Sequence, residues 1–183
     1  MRRSILEELF SINVEDLAKR IDHALITPWA SEKELEKAIE ETKRNKLRCL
    51  ILSPSLARIA SSLTSKLCIG AVVGFPYGYQ TIESKIKELE DVISYGVNEV
   101  DYMLNIQNFI MGRKDEVANE LKASIEICKE VRVKCKIIIE APALNNISDV
   151  IELVRIASSY EPEFIKTSSG LGPRPTSFED III

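Results

Sequence analysis

Short runs of apolar residues alternate along this chain with longer segments in which apolar residues recur at helical spacing. Several of the short runs, such as LCIGAVVGF and KIIIEA, are apolar almost throughout. Runs of this kind are typical of strands that are buried on both faces of a parallel sheet. The predicted strands are Asp22–Thr27, Arg48–Ser53, Leu67–Phe75, Glu99–Leu104, Cys135–Ala141 and Phe164–Ser168.

The longer segments predict helices over residues 31–46, 114–131 and 147–160, because their apolar positions follow the 3.6-residue period. Ser31 lies three residues before Glu34, which predicts a capping box. Gly96 stands where a helix C-terminal cap is expected. The predicted apolar stripes are Leu35, Ala38, Ile39 and Thr42; Val117, Leu121, Ile125 and Cys128; and Ile147, Val150, Ile151, Val154 and Ala157.

Strand and helix alternate through six units, which predicts an α/β fold with a parallel sheet. We expect a single domain over residues 1–183, a TIM (β/α)8 barrel of which about six units are present. Residues 1–21 are predicted to form an N-terminal helical extension. A complete barrel has eight units and about 250 residues, so its last strands are expected to be missing from this chain. A helical pattern starts at Thr176.

Charged residues stand inside three of the predicted strands. Alternation along VDYML, KIIIEA and FIKTSS places Asp101, Lys136 and Lys166 each on one face of its strand. A buried charge is costly unless it is paired, and three successive strands would let these side chains meet inside a barrel. The alternative is structural: each lysine lies near a strand end and reaches solvent.

An aspartate beside two lysines favours Schiff-base chemistry. A lysine nucleophile must be neutral, although its ordinary pKa is about 10.4. Desolvation and a neighbouring cation both lower that pKa, so one lysine can attack a carbonyl while the other suppresses its protonation. A nearby aspartate can relay protons.

Composition excludes several other classes of function. The chain is 45% hydrophobic and 28% charged, and its net charge of −4 predicts no nucleic-acid partner. No apolar run is long enough to span a membrane, and the first residues do not resemble a signal peptide, so a cytoplasmic location is expected. One histidine and no cluster of soft ligands predict no metal site.

Four cysteines are predicted to be reduced core thiols: Cys49, Cys68, Cys128 and Cys135.

Five segments together resemble the deoxyribose-phosphate aldolase family in order and spacing. The resemblance extends from about residue 14 to the C-terminus, and its most specific segments are FIKTSSG and the EVD of NEVDYMLN. The segments are IDHALITP (21–28), GFPYG (74–78), NEVDYMLN (98–105), KIIIEAPAL (136–144) and FIKTSSG (164–170).

The resemblance implies a class I aldolase, a lyase that reversibly cleaves 2-deoxy-D-ribose 5-phosphate to D-glyceraldehyde 3-phosphate and acetaldehyde. It identifies Lys136 as the Schiff-base lysine, Lys166 as the second lysine that lowers its pKa, and Asp101 as the proton relay. It implies no cofactor, a small phosphorylated sugar as substrate, and a homodimer or homotetramer.

Further polar residues match positions near that active site. Asp22 and Asn105 are candidate substrate-binding residues, although Asp22 and His23 could instead form a structural pair. Thr167, Ser168 and Gly170 follow Lys166 at the strand end, where they either line the substrate pocket or make the turn. The loops that hold the phosphate in the family are expected to lie outside these 183 residues.

Two alternatives remain open on the residues alone. The first is another Schiff-base barrel lyase acting on a different phosphorylated sugar or keto acid, since fold does not fix function. The second is a non-catalytic truncated barrel that acts as an interaction module. Substrate profiling separates the first from the aldolase, and borohydride trapping with an aldehyde separates the second from both enzymes.

Overall fold

Six parallel strands form a curled half-barrel in a computed structural model that describes residues 12–182. The strands follow one another in chain order across the sheet, which is the arrangement of successive βα units. The six predicted strands are therefore confirmed, and their observed bounds are slightly shorter. The strands are β1 Asp22–Leu25, β2 Cys49–Leu52, β3 Ile69–Val73, β4 Glu99–Met103, β5 Lys134–Ile138 and β6 Phe164–Lys166.

Helices connect the strands and cover the outer face of the sheet. The predicted capping box is present, because Ser31 and Glu34 each bond to the other's backbone N–H. Gly96 follows the C-cap of a helix with a φ of 82°, as a C-terminal glycine is expected to do. The α-helices are Val14–Ala18, Glu32–Arg44, Pro54–Leu63, Ile82–Ser94, Ile106–Ile110, Lys114–Glu130, Ile147–Ser158 and Glu179–Ile182, with a 3-10 turn at Ala141–Ala143.

Two of the predicted apolar stripes are buried as expected, those of Glu32–Arg44 and Lys114–Glu130. The third differs in detail. On Ile147–Ser158 the buried residues are Val150, Leu153 and Ala157, whereas Ile147 is 54% exposed. The first turn of this helix thus lies outside the core, and the stripe is shifted from the predicted one.

The apolar core has two parts, one on each face of the sheet. The larger lies between the strands and the helices and includes Leu50, Val73 and Tyr102. The smaller lies on the inner face of the half-barrel and includes Ile51 and Val72. Strands buried on both faces explain why the strand segments are almost continuously apolar.

The prediction of four reduced thiols is wrong for one pair. Cys49 and Cys68 form a disulfide with a Cα–Cα distance of 4.6 Å. Both belong to the inner part of the core, one on β2 and the other just before β3. Cys128 and Cys135 lie outside the disulfide as buried thiols, as predicted. The sequence could not give the pairing, because it does not say which cysteines adjacent strands bring together.

The two ends of the chain match the predictions in part. Residues 1–11 of the predicted extension lie outside the described residues, and the rest contains the helix Val14–Ala18. The last helix begins at Glu179 rather than at Thr176. Among residues 12–182, no helix has the length and apolar character needed to cross a membrane.

Candidate active site

The charged residues of the last three strands meet on the inner face of the half-barrel. Asp101 on β4 is the register partner of Lys136 on β5, and Lys166 on β6 pairs with Ile138. The Lys136 Nζ lies 2.8 Å from Asp101 Oδ1, and the Lys166 Nζ lies 3.1 Å from Asp101 Oδ2. Asp101 therefore bridges the two lysines. Lys136 is only 6% exposed, so the structural alternative, in which each lysine reaches solvent, does not hold for Lys136. Lys166 ends β6, and its side chain is 33% exposed.

Two more carboxylates and a guanidinium complete this group. The Lys136 Nζ lies 2.8 Å from Asp22 Oδ2 and 2.5 Å from Glu99 Oε1. Arg48 binds the same two acids, with Nη2 at 2.6 Å from Asp22 Oδ2 and 2.7 Å from Glu99 Oε1. We refer to these six residues as the ion cluster: Asp22, Arg48, Glu99, Asp101, Lys136 and Lys166.

The pKa of Lys136 is raised from its ordinary value. Burial alone would lower it, but the negative charge and hydrogen bond of Asp101, followed by the hydrogen bonds of Asp22 and Glu99, outweigh burial. This direction differs from the expected lowering by Lys166. The physical reason is that these acids lie within 2.8 Å of the Lys136 Nζ, whereas Lys166 is bound to the far oxygen of Asp101.

The pKa values of Asp22 and Glu99 are both lowered. Burial would raise them, but the hydrogen bonds from Arg48 and Lys136 and the positive charges of those residues reverse the shift. Burial of an ionised carboxylate is tolerated where it is paired and hydrogen-bonded in this way. The resting cluster thus holds Asp22 and Glu99 ionised and Lys136 protonated.

A cleft of about 420 Å³ opens beside the ion cluster. This volume is in the range of small-molecule sites. Asp22, Asp101, Lys136 and Lys166 give it charged groups. The other lining residues are Ala24, Ile51, Phe164, Ile165 and Thr167.

The structure decides between the two interpretations of Asp22, as an active-site residue or as a structural partner of His23. Its carboxylate contacts Arg48 and Lys136 inside the half-barrel. His23 lies elsewhere, with its Nε2 3.8 Å from a carboxylate oxygen of Glu41. Asp22 therefore belongs to the ion cluster rather than to a structural pair with His23.

The remaining candidates lie outside the ion cluster, and of them Thr167 is the one that lines the cleft. Asn105 caps the helix Ile106–Ile110 by accepting a hydrogen bond from the Asn108 N–H. Thr167 lines the cleft, and Ser168 Oγ lies 2.8 Å from Thr176 Oγ1. Gly170 is exposed with a φ of 84°, which indicates a turn role.

Sequence reasoning missed Glu99, Arg48 and Glu140. The sequence does carry a signal for Glu99, since it lies two residues before Asp101 and so shares its strand face. It carries no such signal for Arg48, because Arg48 precedes β2 and its long side chain reaches across to two other strands. Glu140 follows β5 with a φ of 44°, and its Oε2 accepts a hydrogen bond from the Ser169 N–H, which ties the loop after β6 to β5.

No protein-family model matches this chain. Curated relatives do. The deoxyribose-phosphate aldolase of Bacteroides thetaiotaomicron is 30% identical over 184 residues, which cover 100% of this chain and 77% of the relative. That of Lactobacillus acidophilus is 32% identical over 170 residues, which cover 92% and 71%. This chain belongs to the deoxyribose-phosphate aldolase family.

Solved structures agree with this membership. A deoxyribose-phosphate aldolase from Aeropyrum pernix, described as having a unique tetrameric structure, matches with a TM-score of 0.84 at 28% identity, over 93% of this chain and 73% of its own. The aldolase QR15 matches with a TM-score of 0.85 at 31% identity, over 91% and 74%. The half-barrel thus matches 73–74% of these two aldolase chains, and the predicted fold class is confirmed.

Proposed function

We propose that this chain is a class I aldolase that reversibly cleaves 2-deoxy-D-ribose 5-phosphate to D-glyceraldehyde 3-phosphate and acetaldehyde. One observation carries the proposal beyond family membership. Buried Lys136 lies 2.8 Å from Asp101, whose other oxygen is held by Lys166, and a small-molecule cleft opens beside them. A nucleophilic amine, a proton carrier and a second amine are the groups that Schiff-base chemistry needs.

In the first stage, the neutral Nζ of Lys136 attacks the aldehyde carbon C1 of the open-chain sugar. The carbonyl oxygen takes up a proton to give a carbinolamine, which loses water to form an iminium. Asp101 is close enough to accept the proton that Lys136 loses and to return it to the departing hydroxyl. We assign Asp101 that relay role.

In the second stage, the iminium accepts the electrons of the C2–C3 bond. The C3 hydroxyl loses its proton, D-glyceraldehyde 3-phosphate leaves, and the electron pair remains on Lys136 as an enamine. Protonation of the enamine carbon restores an iminium, which water hydrolyses to acetaldehyde and free Lys136. Lys166 orients the Asp101 carboxylate through both stages, since its Nζ lies 3.1 Å from Oδ2.

We assign substrate contact to the polar groups at the cleft. Asp22 and Thr167 line it directly. Ser168 and Gly170 shape the loop after β6, and Asn105 shapes the end of β4 through its cap. Since the relative from Aeropyrum pernix is tetrameric, we propose a homodimer or homotetramer for this chain too, working in the cytoplasm.

The test is formation of acetaldehyde from 2-deoxy-D-ribose 5-phosphate, with unphosphorylated 2-deoxy-D-ribose as the control substrate. We expect Lys136→Met to lower the rate by roughly 10³-fold or more, as loss of a catalytic nucleophile does. Lys134→Met is the matched control, because Lys134 lies on the same strand with its side chain 52% exposed. Equal rates for the two variants, or no acetaldehyde from the unmodified chain, would contradict the proposal.

A further inference from the structure

Arg48 is the cation of the ion cluster that the proposed reaction does not use. Its side chain is 21% exposed and reaches the inner face of the half-barrel from the residue before β2. Nη1 lies 2.7 Å from Glu99 Oε2, while Nη2 lies 2.7 Å from Glu99 Oε1 and 2.6 Å from Asp22 Oδ2. The guanidinium therefore donates hydrogen bonds to Glu99 through both Nη1 and Nη2, and Nη2 also donates to Asp22.

Arg48 and Lys136 compete for the same oxygen atoms. Glu99 Oε1 and Asp22 Oδ2 each accept a hydrogen bond from both residues. The Glu99 side chain is fully buried, so bulk solvent does not reach its charge. Without Arg48, Lys136 would be the nearest cation left to Asp22 and Glu99.

A shared aromatic ring fixes the two cations side by side. The Arg48 guanidinium carbon lies 4.8 Å from the centre of the Phe164 ring, and the Lys136 Nζ lies 5.8 Å from it. Both distances are within the range of cation–π attraction. The position of Arg48 is thus set by two acids and by a residue of β6, rather than by one surface contact.

We propose that Arg48 is a positioning residue that shares Asp22 and Glu99 with Lys136, so that Lys136 can give up its proton to the reaction. The proposal rests on the proposed function in taking Lys136 as the nucleophile. Its physical basis is that a guanidinium stays protonated and makes paired hydrogen bonds to carboxylates. Arg48 thereby offsets negative charge that would otherwise bind Lys136 as an ammonium.

The charged groups that face Lys136 come from each element packed around it. Asp22 lies on β1, Arg48 precedes β2, Glu99 and Asp101 lie on β4, and Lys166 lies on β6. Loss of Arg48 removes a positive charge and leaves the acids in place. The balance then shifts toward the protonated form of Lys136.

The experiment measures the pKa of Lys136 directly, by the pH dependence of its acylation by acetic anhydride, quantified by peptide mass spectrometry. In Arg48→Met we expect the acylation rate of Lys136 below its pKa to fall roughly tenfold, the effect of a neighbouring charge worth one pKa unit. In Arg48→Met/Glu99→Gln, which removes one charge of each sign, the rate should return toward that of the unmodified chain. Lys134 serves as the internal control within each sample.

An unchanged or faster rate at Lys136 in Arg48→Met would overturn the proposal. If that variant does not fold, Arg48→Lys and the double variant decide it, because a purely structural Arg48 would leave the Lys136 titration the same in any folded variant. Arg48→Lys keeps the charge but loses the paired hydrogen bonds, so a smaller fall is expected. Acylation needs no catalysis, so failure of the aldolase assay and failure of this proposal are separate results.

Discussion

At the scale of single residues, the lysine proposed as the nucleophile is held as an ammonium by the acids around it. Asp22, Glu99 and Asp101 bind it at 2.5–2.8 Å and raise its pKa despite burial. The proton must leave before Lys136 can attack a carbonyl. Asp22 and Glu99 are also bound by Arg48, whereas Asp101 is not, so we assign Asp101 as the acceptor for that proton.

We expect Asp101→Asn to lower kcat for cleavage by roughly 10²- to 10⁴-fold, the usual contribution of a general acid–base group. Asparagine keeps the size of the side chain but carries no proton between reaction steps. Steady-state kinetics with 2-deoxy-D-ribose 5-phosphate measures the effect. Asp91→Asn, at a half-exposed acid on the helix Ile82–Ser94, is the control, and a loss in that variant equal to the loss in Asp101→Asn would contradict the relay role.

Sequence reasoning found the residues whose chemistry conflicts with their surroundings. Asp101, Lys136 and Lys166 were visible as charges within apolar strands, and the structure brings them together. Arg48 was missed, because an arginine at the first position of a predicted strand is ordinary until the fold shows where its side chain goes. The direction in which the Lys136 pKa is shifted could not be predicted from the sequence either, because it depends on distances to acids from two other strands.

At the scale of elements, the spacing of apolar residues predicted the strands and helices well, because the buried face of each element determines that spacing. The strand bounds agree within a few residues, and a turn at 74–78 follows β3. Gly78 is required there, since a Cβ would lie 2.3 Å from the carbonyl oxygen of Leu104. The last helix was placed too early because Thr176 bonds to Ser168, and the Ser177 N–H donates instead to Asp180.

We expect Ser31→Ala to lower the free energy of unfolding by about 1 kcal/mol, the usual cost of losing a side-chain N-cap. Ser31 Oγ accepts a hydrogen bond from the Glu34 N–H, and the change removes it. Ser53→Ala is a matched control, because Ser53 is also an N-cap residue but makes no side-chain cap bond. Urea denaturation measures both, and equal losses would contradict the assigned role of the Ser31 cap.

The Cys49–Cys68 disulfide joins elements that are adjacent in the sheet but 19 residues apart in sequence. We expect reduction to lower the free energy of unfolding by about 3 kcal/mol, the loop-closure value for a crosslink of this span. Thermal melts with and without reductant measure the effect, with Cys49→Ser/Cys68→Ser as the control that reductant should not change. Equal melting temperatures in both states of the unmodified chain would contradict a stabilising disulfide.

At the scale of the whole molecule, a second buried ion pair ties the helical layer to the end of β4 and to the turn after β3. Lys85 and Glu120 are paired, and the Lys85 Nζ also donates to the Gly78 carbonyl at 2.7 Å and to the Met103 carbonyl at 3.2 Å. Burial lowers the pKa of Lys85 and raises that of Glu120. Asn105 joins this group, because its N–H donates to Glu120.

We expect Lys85→Met to lower the free energy of unfolding by roughly 3–5 kcal/mol, because it leaves Glu120 buried without its partner. Lys85→Met/Glu120→Leu should recover much of the loss by removing both charges. Lys87→Met is the control, since the Lys87–Asp91 pair on the same helix is exposed and its loss should not measurably change stability. Chemical denaturation of the four proteins would contradict this account if the double variant were less stable than Lys85→Met.

The central claim is that Lys136 forms the covalent intermediate, and borohydride trapping tests it most directly. The chain is incubated with acetaldehyde, reduced with sodium borohydride, and digested for peptide mass spectrometry. The account predicts an ethyl adduct on Lys136 that persists in Lys134→Met and disappears in Lys136→Met. An adduct confined to Lys166, or no stable adduct on any lysine, would contradict it.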